Sequence, residues 1–239
     1  MEHTINVSNV SRKFDGKMIL NHISFQAKKG EVIGLLGVNG AGKTTLLKLM
    51  SGLLEPDEGE VSILGRNTWY ERDKVLKNIG VMIETPVFYE HLTAFENIQI
   101  HLEYMGVQTD INQILTLVGL VGIDKKSVSK FSLGMKQKLG IARAISHNPK
   151  VLLLDEPING LDPVAILEVR ELLKKLKAQG MTILLSSHIL NEVLETVENI
   201  VILSNGKLDN LGEIAFLKEQ HGTKLENYLI ERMRGRKHG

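Results

Sequence analysis

Residues able to handle a phosphate chain are concentrated at 37–45, GVNGAGKTT, which matches G-x-x-x-x-G-K-[ST] through Gly37, Gly42, Lys43 and Thr44. Glycines at 37, 40 and 42 permit positive φ, so successive backbone N–H groups can converge on one anion. Lys43 is placed to reach the terminal phosphates, and the Thr44 hydroxyl is a hard oxygen ligand suited to Mg²⁺. The start of the following helix adds its partial positive charge. The expected cradle takes in Gly37, Asn39, Gly40, Ala41, Gly42, Lys43, Thr44 and Thr45. A second chemical group is the carboxylate pair Asp155 and Glu156, placed directly after the apolar run VLLL at 151–154. Such a run reads as a strand buried on both faces, whose C-terminal end is a ligand edge. Phe14, flanked by Arg12, Lys13 and Asp15, could stack on an adenine ring or pack on the core of a hairpin, and its position leaves both open.

The elements that must position these groups follow from periodicity. EVIGLL at 31–36 predicts a buried strand feeding the glycine-rich loop, and 45–51 predicts a helix leaving it. Residues 5–10 and 19–27 alternate apolar and polar types around the turn Asp15-Gly16, as antiparallel strands do. A turn at 55–59 precedes a short strand at 60–64, and 75–83 returns the chain to the core. Helical spacing runs over 92–105 with Thr93 as cap, 111–118 after Asp110, and 132–146. Beyond the strand at 151–154, a helix at 164–179 closes at Gly180. It is followed by a strand at 182–185, a helix at 189–197 and a final strand at 200–203. The tail predicts helices at 214–219 and 225–233 and a solvated, mobile basic end containing Arg236, Lys237 and His238. The expected fold class is α/β, with an N-terminal antiparallel β layer and helices inserted between strands of one mostly parallel sheet.

Composition narrows the function classes. A chain of 239 residues with 43% hydrophobic content can bury a substantial core, and a net charge of +1 supplies no field to gather nucleic acid. The absence of cysteine excludes disulfides and thiolate metal sites. No apolar run approaches the roughly 20 residues needed to span a bilayer, and residues 1–10 lack the regions of a signal peptide. The expectation is a cytosolic or peripheral protein, with any membrane path on another polypeptide.

With the phosphate loop, the Asp155-Glu156 pair and the segment FSLGMKQ at 131–137, the chain resembles the ATP-binding subunit of an ABC transporter over essentially its whole length. The resemblance implies a P-loop NTPase core over residues 1–85 and 150–210, a helical subdomain over about 86–149 and a helical tail over 211–239. It implies ATP and Mg²⁺ as ligands. Asp155 would hold Mg²⁺ through water, and Glu156 would orient and polarise the attacking water. Asn159-Gly160-Leu161-Asp162 matches the loop that crosses between two subunits, His188 matches the histidine that contacts the γ-phosphate, and Phe14 takes the place of the adenine-stacking aromatic. Ser132 and Gly134 fit the signature that meets the partner's γ-phosphate, with departures from LSGGQ at Phe131, Leu133 and Met135. Glu84 stands where most members have a glutamine that reaches Mg²⁺ and the attacking water, so the resemblance makes it a metal and catalytic residue. These variations, in GVMIETPVFYEHLTAFENI and FSLGMKQKLGIARA, are similar to the branch that exports bacitracin and lantibiotics and gives self-immunity.

The function implied is an ATPase that pairs head to tail with a second copy and drives a separate membrane-spanning permease from the cytoplasmic face of the membrane. A DNA-repair or ribosomal ATPase of the same family would carry a long coiled-coil insertion or a second cassette, and 239 residues hold neither. A regulatory GTPase would need an Asn-Lys-x-Asp motif, which does not occur.

Overall fold

A computed structural model describes residues 3–123 and 125–235. From the N-terminus the chain forms β1 (His3–Phe14), β2 (Lys17–Lys28), β3 (Val32–Leu36) and α1 (Lys43–Met50). Next come β4 (Glu58–Ile63), β5 (Arg66–Asn67), α2 (Arg72–Leu76) and β6 (Ile79–Met82). Helices α3 (Ala94–Met105), α4 (Ile111–Leu117) and α5 (Leu133–Ile145) then separate β6 from β7 (Val151–Leu154). The chain continues through α6 (Pro163–Ala178), β8 (Thr182–Ser187), α7 (Leu190–Leu194), β9 (Asn199–Ser204) and β10 (Lys207–Glu213), and ends in α8 (Ile214–His221) and α9 (Leu225–Met233).

Two sheets form. The antiparallel sheet has strand order β2-β1-β4-β5. Its first hairpin turns at Asp15 and Gly16, both at positive φ (48° and 76°), as a two-residue turn matched to strand twist requires. The second sheet has order β10-β9-β3-β8-β7-β6, with parallel pairing from β9 through β6 and β10 antiparallel at the edge. Every residue of β3 and of β7 is buried, which explains why both read as unbroken apolar runs.

The pleat divides these strands between two cores. Ile33, Leu35, Leu153 and Leu184 face the antiparallel sheet and α1, meeting Val7, Leu20, Ile23, Leu46 and Leu47. Leu36, Leu152, Leu154, Ile183 and Leu185 face the helices, including Leu139 and Ile141 of α5 and Val169, Leu172 and Leu176 of α6. A period of two on the strands meets a period near 3.6 on the helices. The Thr93 capping box, Asp110, Ser132 and Asp162 start α3, α4, α5 and α6 by accepting bonds from first-turn N–H groups.

Glycine sets one close approach that matters for the site. A Cβ on Gly80 would lie 2.2 Å from the Ala144 carbonyl oxygen, and one on Gly140 would lie 2.7 Å from the Met82 sulfur. Helix α5 therefore rests directly on β6, the strand that leads to Glu84.

The structure differs from the expected elements at three places. The strand at 200–203 is followed by an antiparallel partner, β10, so Lys207–Glu213 is sheet rather than connection and reaches into the expected tail. The strand is polar and pairs along one side only, which hides it from a hydrophobic pattern. The helix expected over 189–197 is limited to Leu190–Leu194, because the Thr196 N–H turns back to the Val193 carbonyl. Strand β1 runs to Phe14 across irregular register, with Asn9 at φ 52°. The basic end at Arg236, Lys237 and His238 lies outside the described residues.

Candidate active site

The phosphate loop leaves β3 at its C-terminal end and enters α1. Gly37 begins it against β9, where a Cβ would lie 2.6 Å from the Leu203 carbonyl oxygen. Gly40 sits at φ 78° with open space on its Cα, and Gly42 caps α1 at φ 105° with no side-chain hydrogen bond. The first-turn N–H groups of α1 are thus left to an external acceptor, the arrangement a phosphate needs. Lys43 is buried. Its Nζ donates to the carbonyls of Gly37 (2.9 Å) and Val38 (3.4 Å) and lies 3.3 Å from Glu156 Oε1. Asn39 and Gly40 form the exposed tip, and Ala41 bonds back to the Val38 carbonyl, with Thr45 partly covered in the first turn.

The carboxylates lie where β7 ends. Asp155 accepts from Thr44 Oγ1 at 2.7 Å on Oδ2 and from Ser186 Oγ at 2.5 Å on Oδ1. Glu156 takes a left-handed backbone, φ 49°, that is costly for a side chain of this size and turns its carboxylate back toward Lys43. His188 Nδ1 lies 2.5 Å from Glu156 Oε2. The Glu156 N–H donates to Ser186 Oγ at 3.0 Å, so one hydroxyl serves both carboxylate residues. Gln137 Nε2 donates to the Glu156 carbonyl at 3.4 Å. Residue spacing does not mark Ser186 as a site residue, and it places Gln137 only as the last residue of the 131–137 segment. For Ser186 the signal available is its place at a strand end beside His188.

These donors fit a hard divalent cation. Thr44 and Asp155 present adjacent oxygens, and among the described residues no group of three His, Cys, Asp or Glu side chains forms a closed metal site. Proteins in general bind Mg²⁺ through one or two carboxylates with substrate phosphate oxygens and water completing the shell, and the Thr44–Asp155 pair is a donor set of that kind.

Glu84 follows β6 at φ 61° and lines one pocket, of about 430 Å³, with Asp155, Glu156, Gln137, Leu133 and Asn159. Its carboxylate is paired with Lys48 Nζ at 2.7 Å. Ser132 starts α5 and accepts from the Met135 N–H at 3.3 Å, so the departures at Leu133 and Met135 leave the helix start intact. A Cβ on Gly134 would lie 3.3 Å from Ala165 Cβ, and Leu133 stands against Gly160. Phe14 is 40% exposed, outside that pocket, with the Arg12 guanidinium 4.9 Å from its ring centroid. The same hairpin reaches the phosphate loop through Ile19 and Leu20, which pack at Gly42.

Beside Glu84 the surface forms an apolar groove lined by Val87, Phe88, Tyr89, Ile100, His101, Tyr104 and Arg143. Val87 and Tyr104 are more than four-fifths exposed. Arg143 lies over the Phe88 ring at 4.8 Å and donates to the Val87 carbonyl at 2.8 Å. Beneath the groove, His147 Nε2 donates to the Ile79 carbonyl (3.0 Å), which leaves its Nδ1 to accept from His101 Nε2 at 3.3 Å. Burial, then His147 and Arg143, lowers the His101 pKa from 6.5 to about 4, and burial also lowers that of His147.

The model of the ABC transporter family matches residues 20–159. The bacitracin transport ATP-binding protein BcrA of Bacillus licheniformis is 42% identical over 236 residues, covering 97% of this chain and 76% of that protein. The lantibiotic transport ATP-binding protein SrtF of Streptococcus pyogenes is 42% identical over 205 residues, covering 85% and 88%. A solved ATP-binding subunit of an ABC transporter superposes with a TM-score of 0.85 at 32% identity, covering 95% of this chain and 98% of that one.

Proposed function

Since the chain belongs to the ABC transporter family, whose ATP-binding subunits hydrolyse ATP to power transport, we propose that it is the motor of an exporter of peptide antibiotics. The observation that carries the hydrolytic assignment is the convergence of Lys43, Thr44, Asp155 and Glu156 at one sheet edge, each touching another of the four. Phe14 stacks on the adenine, and residues Gly37, Asn39, Gly40, Ala41, Gly42 and Thr45 surround the phosphates while Lys43 pairs with the terminal ones. Thr44 and Asp155, with Glu84 near them, would hold Mg²⁺, which when bound would supply positive charge against the phosphate oxygens. Glu156 accepts the proton of the attacking water, and His188 holds that carboxylate and reaches the γ-phosphate.

Two copies pair head to tail, so that Ser132 and Gly134 at the start of α5 present its N-terminus to the nucleotide of the other copy. Nucleotide binding closes the dimer and hydrolysis reopens it. The sheet-bearing core (1–85 and 150–210) works the nucleotide, and the helical region at about 86–149 receives a separate permease in the groove at Val87, Tyr89 and Tyr104. No helix among the described residues is long and apolar enough to cross a membrane. On this reading the permease holds the subunit at the cytoplasmic face, as the transporter relatives support. The family relationship to bacitracin and lantibiotic transport proteins supports the cargo class.

The test expresses the chain with its membrane partner in a sensitive host and measures growth against bacitracin and a lantibiotic. Tolerance should rise and should vanish with Lys43→Ala. Equal sensitivity with and without the active pair, while the purified chain still hydrolyses ATP, would overturn the cargo and leave the ATPase standing.

A further inference from the structure

We propose that Lys48 is a positioning residue, the counter-ion that holds the Glu84 carboxylate off the divalent-cation site until the metal competes for it. This rests on the reading of Glu84 as a group at the edge of that site. Three carboxylates, from Glu84, Asp155 and Glu156, line a single pocket. Asp155 is held by two hydroxyls, and Glu156 has Lys43 and His188. Glu84 has Lys48, with Nζ to Oε1 at 2.7 Å.

The geometry makes this pairing more than a chance surface contact. Lys48 follows Thr44 by four residues on α1, one turn along the face whose first polar group bonds Asp155. The metal-binding face of the helix thus carries its own cation. Strands β6 and β7 pair in parallel with Met82 opposite Leu154, which sets Glu84 and Glu156 at equivalent places two residues beyond. Both take left-handed backbones, at φ 61° and 49°. Glu84 is 64% exposed in its side chain, so the pair is weak and can be exchanged for a stronger electrostatic partner. A divalent cation bearing two charges at oxygen-ligand distance is that partner. Lys48 then sets how much metal is needed to recruit Glu84.

The experiment measures binding, not turnover. Mn²⁺ replaces Mg²⁺, a non-hydrolysable ATP analogue is saturating, and free Mn²⁺ is read by electron paramagnetic resonance on the full chain. Lys48→Met should lower the half-saturating Mn²⁺ about threefold, the size of an exposed ion pair, with Lys48→Gln as a second variant of the same sense. Lys48→Arg should stay near the unsubstituted chain. Glu84→Gln should raise the half-saturating concentration, and Lys48→Met added to it should change nothing further. If Glu84→Gln leaves Mn²⁺ binding unchanged, Glu84 is no ligand and the role of Lys48 falls with it. If Glu84→Gln weakens binding but Lys48→Met has no effect, or has an equal effect with and without Glu84, only the role of Lys48 is overturned.

Discussion

His188 Nδ1 lies 2.5 Å from Glu156 Oε2, while Lys43 Nζ lies 3.3 Å from the other oxygen of the same carboxylate. One carboxylate thus sits between the lysine aimed at the terminal phosphates and the histidine expected to sense the last of them. On the proposed reading, an arriving phosphate would compete with Glu156 for Lys43 and would leave Glu156 oriented by His188 as a proton acceptor. Glu156→Gln keeps the shape and removes the basicity. Turnover should fall by roughly 10²–10⁴ with nucleotide binding retained. Mg-ATP should also shift the variant to a dimer on size-exclusion chromatography. A monomer with unchanged turnover would remove Glu156 from catalysis.

Ser186 is a less visible support. Its hydroxyl donates to Asp155 Oδ1 and accepts from the Glu156 N–H, and it is fully buried. Ser186→Ala strands a carboxylate oxygen and a backbone N–H at once. The cost should be about 1–3 kcal/mol in urea unfolding, with turnover reduced while nucleotide affinity stays close to that of the unsubstituted chain. A variant of unchanged stability and rate would show that solvent replaces both bonds.

Much of this site could be read from residue order. Gly37, Gly42, Lys43 and Thr44 are contiguous, and their roles depend on local backbone geometry that a few neighbours determine. VLLL at 151–154 announced a doubly covered strand because burial on both faces leaves no polar position. Contacts between distant segments were not legible. Lys48 and Glu84 are 36 residues apart, His101 and His147 are 46 apart, and no periodicity predicts which ends of two elements meet. The signature departures point the same way. Leu133 breaks a glycine pattern, yet α5 still starts at that residue, because Ser132 caps the helix whichever side chain follows.

The His101–His147 pair gives a pH dependence with a definite sign. The folded pKa of His101 lies near 4, below its ordinary 6.5, and that of His147 is also lowered. Their neutral forms therefore contribute stability that is complete above pH 6.5 and is lost as the pH falls toward 4. After allowance for the partial exposure of His101, the loss attributable to it should be about 1 kcal/mol. Urea midpoints measured from pH 7 to pH 4.5 should decline, and His101→Gln should flatten the decline. An unchanged slope in the variant would assign it to carboxylates elsewhere.

The groove at Val87 and Tyr104 tests where force leaves the subunit. Both side chains are more than four-fifths exposed, and Arg143 fixes the Val87 carbonyl and lies over the Phe88 ring. The groove lies next in sequence to Glu84 and includes Arg143 of α5, the helix that rests directly on β6. Val87→Asp with Tyr104→Ala removes exposed anchors and no buried contact, so the isolated subunit should keep its melting temperature and its ATPase rate. Recovery of the membrane partner on affinity-tagged subunit should fall at least about tenfold, equivalent to roughly 1.4 kcal/mol of docking energy, and antibiotic tolerance should fall with it. Undiminished recovery of the permease would place the docking surface elsewhere on the helical region.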